Sequence, residues 1–126
     1  MATFNQLVSV SMTAGSSISL YRFLTFASDG AVDHAGSAQG AVHGVSLQEG
    51  SSGDTIAMGL AGHGIAKLEV GSGGLTRGAV VATDASGKAI ARGASNGDLG
   101  HGIALEAGDA GDIIRVLLLA VGQVNA

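Results

Sequence analysis

Two stretches of this chain repeat one pattern without a gap, and this repeat constrains the fold more than any other feature. Residues 43–61 read HGVSLQEGSSGDTIAMGLA, and residues 101–119 read HGIALEAGDAGDIIRVLLL. The positions that recur are, in the first copy, His43, Gly44, Leu47, Gly50, Gly53, Asp54, Ile56 and Leu60. A unit of roughly 50 residues used twice predicts two tandem copies of one substructure.

The match extends upstream with a short insertion. Leu20, Arg22, Ala27 and Asp29 align with Leu75, Arg77, Ala82 and Asp84. The sequence therefore predicts an N-terminal arm, residues 1–15, followed by a single β domain, residues 16–126, in which repeat one spans 16–61, a linker spans 62–74 and repeat two spans 75–120. Three interpretations of the arm stay open: a strand given to a neighbouring molecule, a first edge strand, and a frayed terminus.

The fold class is predicted to be all-β. Proline is absent, glycine interrupts nearly every window of ten residues, and no stretch carries a sustained helical period. Eight short segments bounded by Gly, Ser, Asp or Asn are predicted as strands: 18–26, 42–48, 55–61, 65–70, 78–82, 88–92, 102–106 and 113–121. Two four-strand repeats can close on each other as a compact β-barrel or sandwich with pseudo-twofold symmetry. A β-solenoid is the alternative topology.

The repeated glycines and aspartates predict turns. EGSSGD at 49–54 and AGDAGD at 107–112 each join two strands, and Gly50, Gly53, Gly108 and Gly111 permit the positive φ values that such turns require. Asp54 and Asp112 close these turns. We interpret their carboxylates as structural acceptors of backbone N–H groups rather than as catalytic groups.

Composition limits the classes of function. The chain has 22 glycines, three Phe, one Tyr and no Trp, so its core is predicted to be thin and some apolar surface to be covered by an oligomer or a partner. A net charge of −4 without a basic cluster argues against nucleic-acid binding. No apolar run approaches the roughly 20 residues of a membrane span, no secretory signal opens the sequence, and the absence of cysteine excludes disulfides.

Histidine offers the one pattern that points towards a metal. His43, His63 and His101 each stand beside glycine, but there is no HExxH pattern and no carboxylate at ligand spacing. Glu106 and Asp109 flank a turn, where a raised pKa suitable for general acid catalysis is not expected. The sequence therefore predicts no catalytic residue, no metal site and no cofactor, and we expect a non-enzymatic protein.

The second repeat resembles the head decoration, or capsid cement, proteins of tailed bacteriophages. The resemblance covers about residues 16–120. It rests on GAVVATDASGKAIA and GHGIALEAGDAGDIIRVLLL, with the matched positions Gly102, Ala104, Leu105, Glu106, Gly111, Asp112, Ile114, Val116, Leu117 and Leu118. The family pattern is structural, so it implies a β-rich protein on the capsid surface and no active-site residues.

The resemblance also implies partners and a location. The major capsid protein and further copies of this chain are the expected partners, with trimers favoured and dimers as the alternative, on the outer surface of a virion after synthesis in the host cytoplasm. Candidate contact residues are Phe4, Leu7, Val8, Val10 and Met12, together with the strand at 113–119 if it forms an edge. A carbohydrate-binding or adhesion module on a virion or cell surface is the alternative function, although such modules usually display aromatic side chains.

Overall fold

Strands are the regular secondary structure of this protein. The computed structural model describes residues 8–28, 30–60, 62 and 64–124, and within these ranges it contains no helix. The strands are β1 Ser9–Ala14, β2 Phe23–Phe26, β3 Ala31–His34, β4 Gly44–Ser46, β5 Thr55–Leu60, β6 Ile65–Glu69, β7 Val80–Thr83, β8 Ala89–Ala91, β9 Leu99–Ala104 and β10 Ile113–Val124. The all-β prediction is confirmed.

The strands form two sheets, one from each half of the chain. In unit one, which comprises β1 to β5, the order β1-β3-β2-β4-β5 closes into a barrel, because β1 pairs with β5 on one side and with β3 on the other. Unit two comprises β6 to β10 in the order β6-β10-β9-β7-β8. The β1–β3 pair is parallel, whereas the other strand pairs of both sheets are antiparallel.

The two units follow the same path. In each unit the second to fifth strands pair in one order, and the first strand pairs antiparallel with the fifth. A single parallel bridge, between Val70 and Ala89, links the two ends of the sheet in unit two. It corresponds to the Ala14–Val32 pair of unit one, where β1 and β3 pair more extensively. Unit two is thus a second copy of the barrel, in which a single bridge takes the place of the pairing between the first and third strands.

The structure corrects the interpretation of the described part of the predicted arm, residues 8–15, as lying outside the domain. Ser9–Ala14 is β1, and its register with β5 runs from Ser9 opposite Gly59 to Thr13 opposite Thr55. Thr13 and Ala14, at the end of this strand, are also paired with β3, so this part of β1 cannot at the same time pair with a neighbouring molecule. The predicted linker, 62–74, likewise contains β6, which is the counterpart of β1 in unit two. Each unit therefore begins one strand earlier than the sequence alignment placed it.

The upstream part of that alignment is also out of register by two residues. Ile18 bridges Gly50, and Leu75 bridges Gly108 in the same way, so Leu75 corresponds to Ile18 and not to Leu20. Tyr21 has a φ of 61° and its counterpart Gly78 a φ of 88°. The left-handed backbone at this position is retained in both units, although only one of them uses glycine for it.

The predicted turn residues occupy equivalent positions in the two units. The expected positive φ is wrong for Gly50 and Gly108, which instead form bridges with Ile18 and Leu75. The Asp54 Oδ2 atom accepts a hydrogen bond from Ser51 N at 2.8 Å, and Asp112 Oδ2 accepts one from Asp109 N at 2.9 Å. The preceding residues, Gly53 and Gly111, have φ values of 91° and 92°. Asp98 accepts from Ser95 N in a third turn of this kind, after Gly97. A glycine with positive φ followed by aspartate therefore marks three turns, in which the carboxylates of Asp54, Asp98 and Asp112 accept backbone N–H groups.

Two clusters of buried apolar side chains hold the fold together. The barrel core fills unit one and comprises Ala14, Ile18, Leu24, Val32, Ile56 and Met58. The junction core is larger and joins the units: Phe23, Ala35, Val42 and Val45 of unit one pack with side chains of unit two that include Ala66, Leu68, Val81 and Val116. Leu24 and Phe23 belong to different cores because neighbouring side chains of a strand point to opposite faces of the sheet.

Backbone and side-chain hydrogen bonds reinforce the junction. Gln39, with a φ of 62°, donates its backbone N–H to Thr83 O at 2.8 Å and accepts at its carbonyl from Leu99 N at 3.0 Å. Its side-chain amide donates to Ala91 O and accepts from Gly93 N. One residue of unit one thereby satisfies backbone groups on several strands or loops of unit two, which fixes the two units relative to each other.

Candidate interaction surface

Three of the predicted contact residues, Val8, Val10 and Met12, lie at one open end of the barrel of unit one. Phe4 and Leu7 fall outside the described residues. Val8 is 50% exposed and Val10 is 37% exposed, whereas Met12 is half-buried and packs against the barrel core. Val10, Met12 and the buried Ala14 alternate along β1, so they form one inward-facing row that passes from the core to the rim.

Two further apolar side chains complete this rim. On β2 the inward-facing row continues from the buried Leu24 to Phe26, which is 51% exposed. Leu60 at the end of β5 donates its N–H to Val8 O at 2.8 Å and packs partly on the barrel core. We call the set Val8, Val10, Met12, Phe26 and Leu60 the rim patch. Beside it, Met12 and Phe26 border a shallow groove of about 230 Å³.

Phe26 is held in place by His43. The two rings stack with centroids 4.3 Å apart and planes 3° apart. The Phe26 backbone N–H also donates to His43 Nδ1 at 3.0 Å, which places the proton of a neutral imidazole on Nε2. An exposed aromatic ring fixed by stacking loses little conformational entropy on binding a partner. The sequence analysis did not predict Phe26 as a contact residue. Its position as an aromatic residue at the end of the strand predicted at 18–26 could have indicated one.

The strand predicted at 113–119 is not an edge. It belongs to β10, which pairs with β6 on one side and β9 on the other. It still presents apolar side chains on its outer face, where Ile113 and Leu117 are 44% and 41% exposed. As a candidate contact, this strand therefore offers apolar side chains on its outer face and not unpaired backbone groups.

The histidines considered as metal ligands are engaged elsewhere or lie outside the described residues. His63 falls outside them. His101 is 3% exposed, and its Nε2 lies 2.7 Å from Gly40 O, to which it donates in the neutral form. Burial lowers the pKa of His101. Across the described ranges, no group of three or more His, Cys, Asp or Glu side chains is arranged to hold a metal ion.

The carboxylate considered for acid catalysis is anchored as an acceptor. Glu106 Oε2 accepts from Arg115 N at 2.9 Å and lies 3.5 Å from Arg115 Nε. The backbone hydrogen bond from Arg115 lowers the pKa of Glu106, and the guanidinium acts in the same direction. A carboxylate stabilised in its charged form is a poor proton donor near neutral pH.

The described part of the chain has no helix long and apolar enough to cross a membrane.

No protein-family model matches this chain, and no curated protein matches it in sequence. In structure, the chain is similar to the N base of head fiber gp8.5 of bacteriophage phi29, with a TM-score of 0.73 and 19% sequence identity. The similarity covers 93% of this chain and 98% of that chain, so the all-β fold is shared over nearly the whole length of both.

Proposed function

We propose that this chain is a structural protein of a tailed-bacteriophage head, which decorates the outer surface of the mature capsid and bridges major capsid subunits. The observation that carries the proposal is the fold shared end to end with a head fiber base. That likeness favours head-associated proteins in general. The resemblance of the second repeat to decoration proteins, centred on Gly102–Glu106 and Gly111–Leu118, narrows the proposal to capsid decoration.

The chemistry of the described surface is consistent with this role. The carboxylates of Asp54, Asp98 and Asp112 accept backbone N–H groups. Exposed apolar side chains lie on sheet faces and a barrel rim: Val8, Val10, Phe26, Ile113 and Leu117. Such a surface binds proteins through shape and apolar area. Each copy needs to contribute only a weak contact, because binding that favours the assembled shell adds over many copies.

Co-sedimentation with capsid shells tests the proposal. The purified full chain is mixed with expanded and with unexpanded shells of the same phage, and the bound protein is quantified at several concentrations. We expect saturable binding to expanded shells, at least tenfold tighter than to unexpanded ones, because expansion rearranges the capsid surface. The shells should also resist a higher temperature before they rupture when the protein is bound.

A folded chain that ignores both kinds of shell would contradict the proposal. Binding of that same protein to purified host-surface polysaccharides would then favour the adhesion module. The rim patch provides a check on this alternative, since Phe26 is an exposed aromatic ring and Phe26→Ala should abolish sugar binding if the ring stacks on a sugar.

A further inference from the structure

Inward-facing side chains at the open end of the barrel are exposed to solvent in unit one and buried in unit two. Val10 of unit one is 37% exposed and Phe26 is 51% exposed. Their counterparts in unit two are Ala66 and Thr83, which are 2% and 0% exposed. The same open end is therefore uncovered in unit one and covered in unit two.

Unit one itself provides the cover for unit two. The outward-facing Phe23 of β2 and Val45 of β4 pack into the junction core together with Ala66 and Leu68. Gln39 lies over Thr83, to whose carbonyl it donates a hydrogen bond. The outer face of one unit thus closes the open end of the next within a single chain.

The corresponding outer face of unit two carries an apolar stripe beside Lys67 and Arg115, and none of the described residues covers that stripe. Four side chains align across its strands in direct register: Val80 with Ile103, Ile103 with Leu117, and Leu117 with Ile65. Leu117 is 41% exposed and the other three are half-buried. Val80 and Ile103 occupy the positions that Phe23 and Val45 occupy in unit one. We call these four residues the outer stripe.

We propose that a second copy of this chain docks head to tail, with the outer stripe of one copy covering the rim patch of the next. The contact would continue between chains the interface that already exists between the two units of one chain. Both of its sides carry accessible apolar side chains. Ala66 and Thr83 are the buried counterparts of the rim residues Val10 and Phe26. Phe23 and Val45 are the buried counterparts of Val80 and Ile103 in the outer stripe. Such a heterologous contact forms a ring if the rotation between copies closes, and a filament if it does not.

Light scattering coupled to size exclusion tests the proposal, with one variant for each side of the contact. Phe26→Lys places a charge in the rim patch, and Leu117→Lys places one in the outer stripe. We expect the unaltered chain to show a mass above the 12.2 kDa of one chain, rising with concentration. Each variant alone should stay at the mass of one chain, with association weakened at least tenfold.

Mixing the two variants gives the decisive measurement. The Phe26→Lys copy retains its outer stripe and the Leu117→Lys copy retains its rim patch, so one contact can form and no third copy can join. We expect an equimolar mixture to give a species of two chains. A mixture that stays at the mass of one chain would overturn the head-to-tail arrangement, as would an unaltered chain that remains a single copy at about 1 mM.

Ile113→Lys is the matched control. Ile113 lies on the same strand and face as Leu117 and is similarly exposed, but it pairs with Glu69 outside the outer stripe. This variant should associate like the unaltered chain, and a loss of association here would overturn the assignment of the surface. Circular dichroism of all variants verifies folding. Light scattering of the unaltered chain without shells reports self-association alone, whereas its co-sedimentation with shells reports the proposed function. Failure of this inference is therefore distinguished from failure of the proposed function by the unaltered chain.

Discussion

At the residue scale, glycines beside the repeated histidines are required by strand packing and not by turns. A Cβ atom on Gly102 would lie 2.7 Å from Leu117 O and would overlap Val116. Gly44 is equally enclosed, by Gly59 O and the Met58 side chain. The sequence predicts the turn glycines because Gly-Asp is a local signal. It cannot predict the role of Gly44 or Gly102, since their constraint comes from a neighbouring strand.

We expect Gly102→Ala to lower the free energy of unfolding by about 2–3 kcal/mol, because the added methyl group overpacks a site bounded by backbone. Urea denaturation followed by circular dichroism measures the change. Gly36→Ala is the control. Gly36 is exposed, has no positive φ, and a Cβ there would meet only His34 O at 3.9 Å. Its stability should change by less than about 0.5 kcal/mol, and an equal loss in both variants would contradict the packing argument.

His101 gives the protein a dependence on pH. Burial lowers its pKa below the ordinary 6.5, the hydrogen bond to Gly40 O opposes that shift, and nearby His43 adds to it. Since the folded state binds this proton more weakly than the unfolded state, stability is complete above about pH 6.5 and falls as the pH drops below that value. The pKa of His34 is lowered mainly by burial too, so it contributes in the same direction.

We expect the unaltered chain to be less stable at pH 5.5 than at pH 7.5, and His101→Gln to lose less over the same interval. The glutamine amide can still donate to Gly40 O but does not titrate. Urea midpoints at the two pH values provide the measurement. Equal losses for the variant and the unaltered chain would show that His101 does not carry the effect.

At the scale of elements, sequence reasoning found strands with clear apolar character and missed those without it. β5, β6 and β10 lie where Thr55, Ile65 and Ile113 were predicted to begin strands. β3 was missed because Ala31–His34 is short and ends in two polar residues. β1 was interpreted as an arm because its partner β5 lies more than 40 residues away along the chain, and pairing at that distance leaves no local signal.

The ion pairs between elements differ in their expected contribution. Glu69 of β6 joins the units through Arg22 at 3.3 Å and also contacts Lys88 at 3.4 Å, with Arg22 only 15% exposed. We expect Glu69→Gln to cost about 1–2 kcal/mol, because it leaves a largely buried guanidinium without its charge partner. Glu106→Gln is the control. Its pair with Arg115 is well exposed and screened by solvent, so its loss of stability should be clearly smaller than that of Glu69→Gln.

Thermal unfolding at low and high salt measures both variants. The deficit of Glu69→Gln should persist at 1 M salt, since salt screens buried pairs poorly. A deficit that disappears with salt would mean that the pair contributes only as a surface interaction does. Arg22 has no counterpart in unit two, where Ala79 occupies its position, so a repeat alignment alone could not reveal this contact.

At the scale of the whole molecule, the junction core makes the two units interdependent. Phe23 and Val45 belong to unit one by sequence, but they are buried by packing with unit two. In unit two, only the bridge between Val70 and Ala89 joins the two ends of the sheet. Its open end is covered by side chains of unit one. We infer that neither unit is stable by itself, because separation would expose the junction core of both.

We therefore expect a single unfolding transition, with calorimetric and van't Hoff enthalpies that agree. Phe23→Ala should cost about 3–5 kcal/mol, as for other buried aromatic residues, and it should lower the midpoint of the whole molecule while leaving one transition. Differential scanning calorimetry measures both quantities. Two separate transitions in the unaltered chain would show that the units fold independently.

The early closure of the first barrel has a consequence for synthesis on the ribosome. Because β1 pairs with β5, every strand of this barrel has been made once residue 60 is added. At roughly 5–20 residues per second, translation of residues 61–126 occupies about 3–13 s more. During that interval the nascent barrel presents Phe23 and Val45 without their cover. The interval is when the chain is most exposed to chaperone capture and to misassembly with other nascent copies.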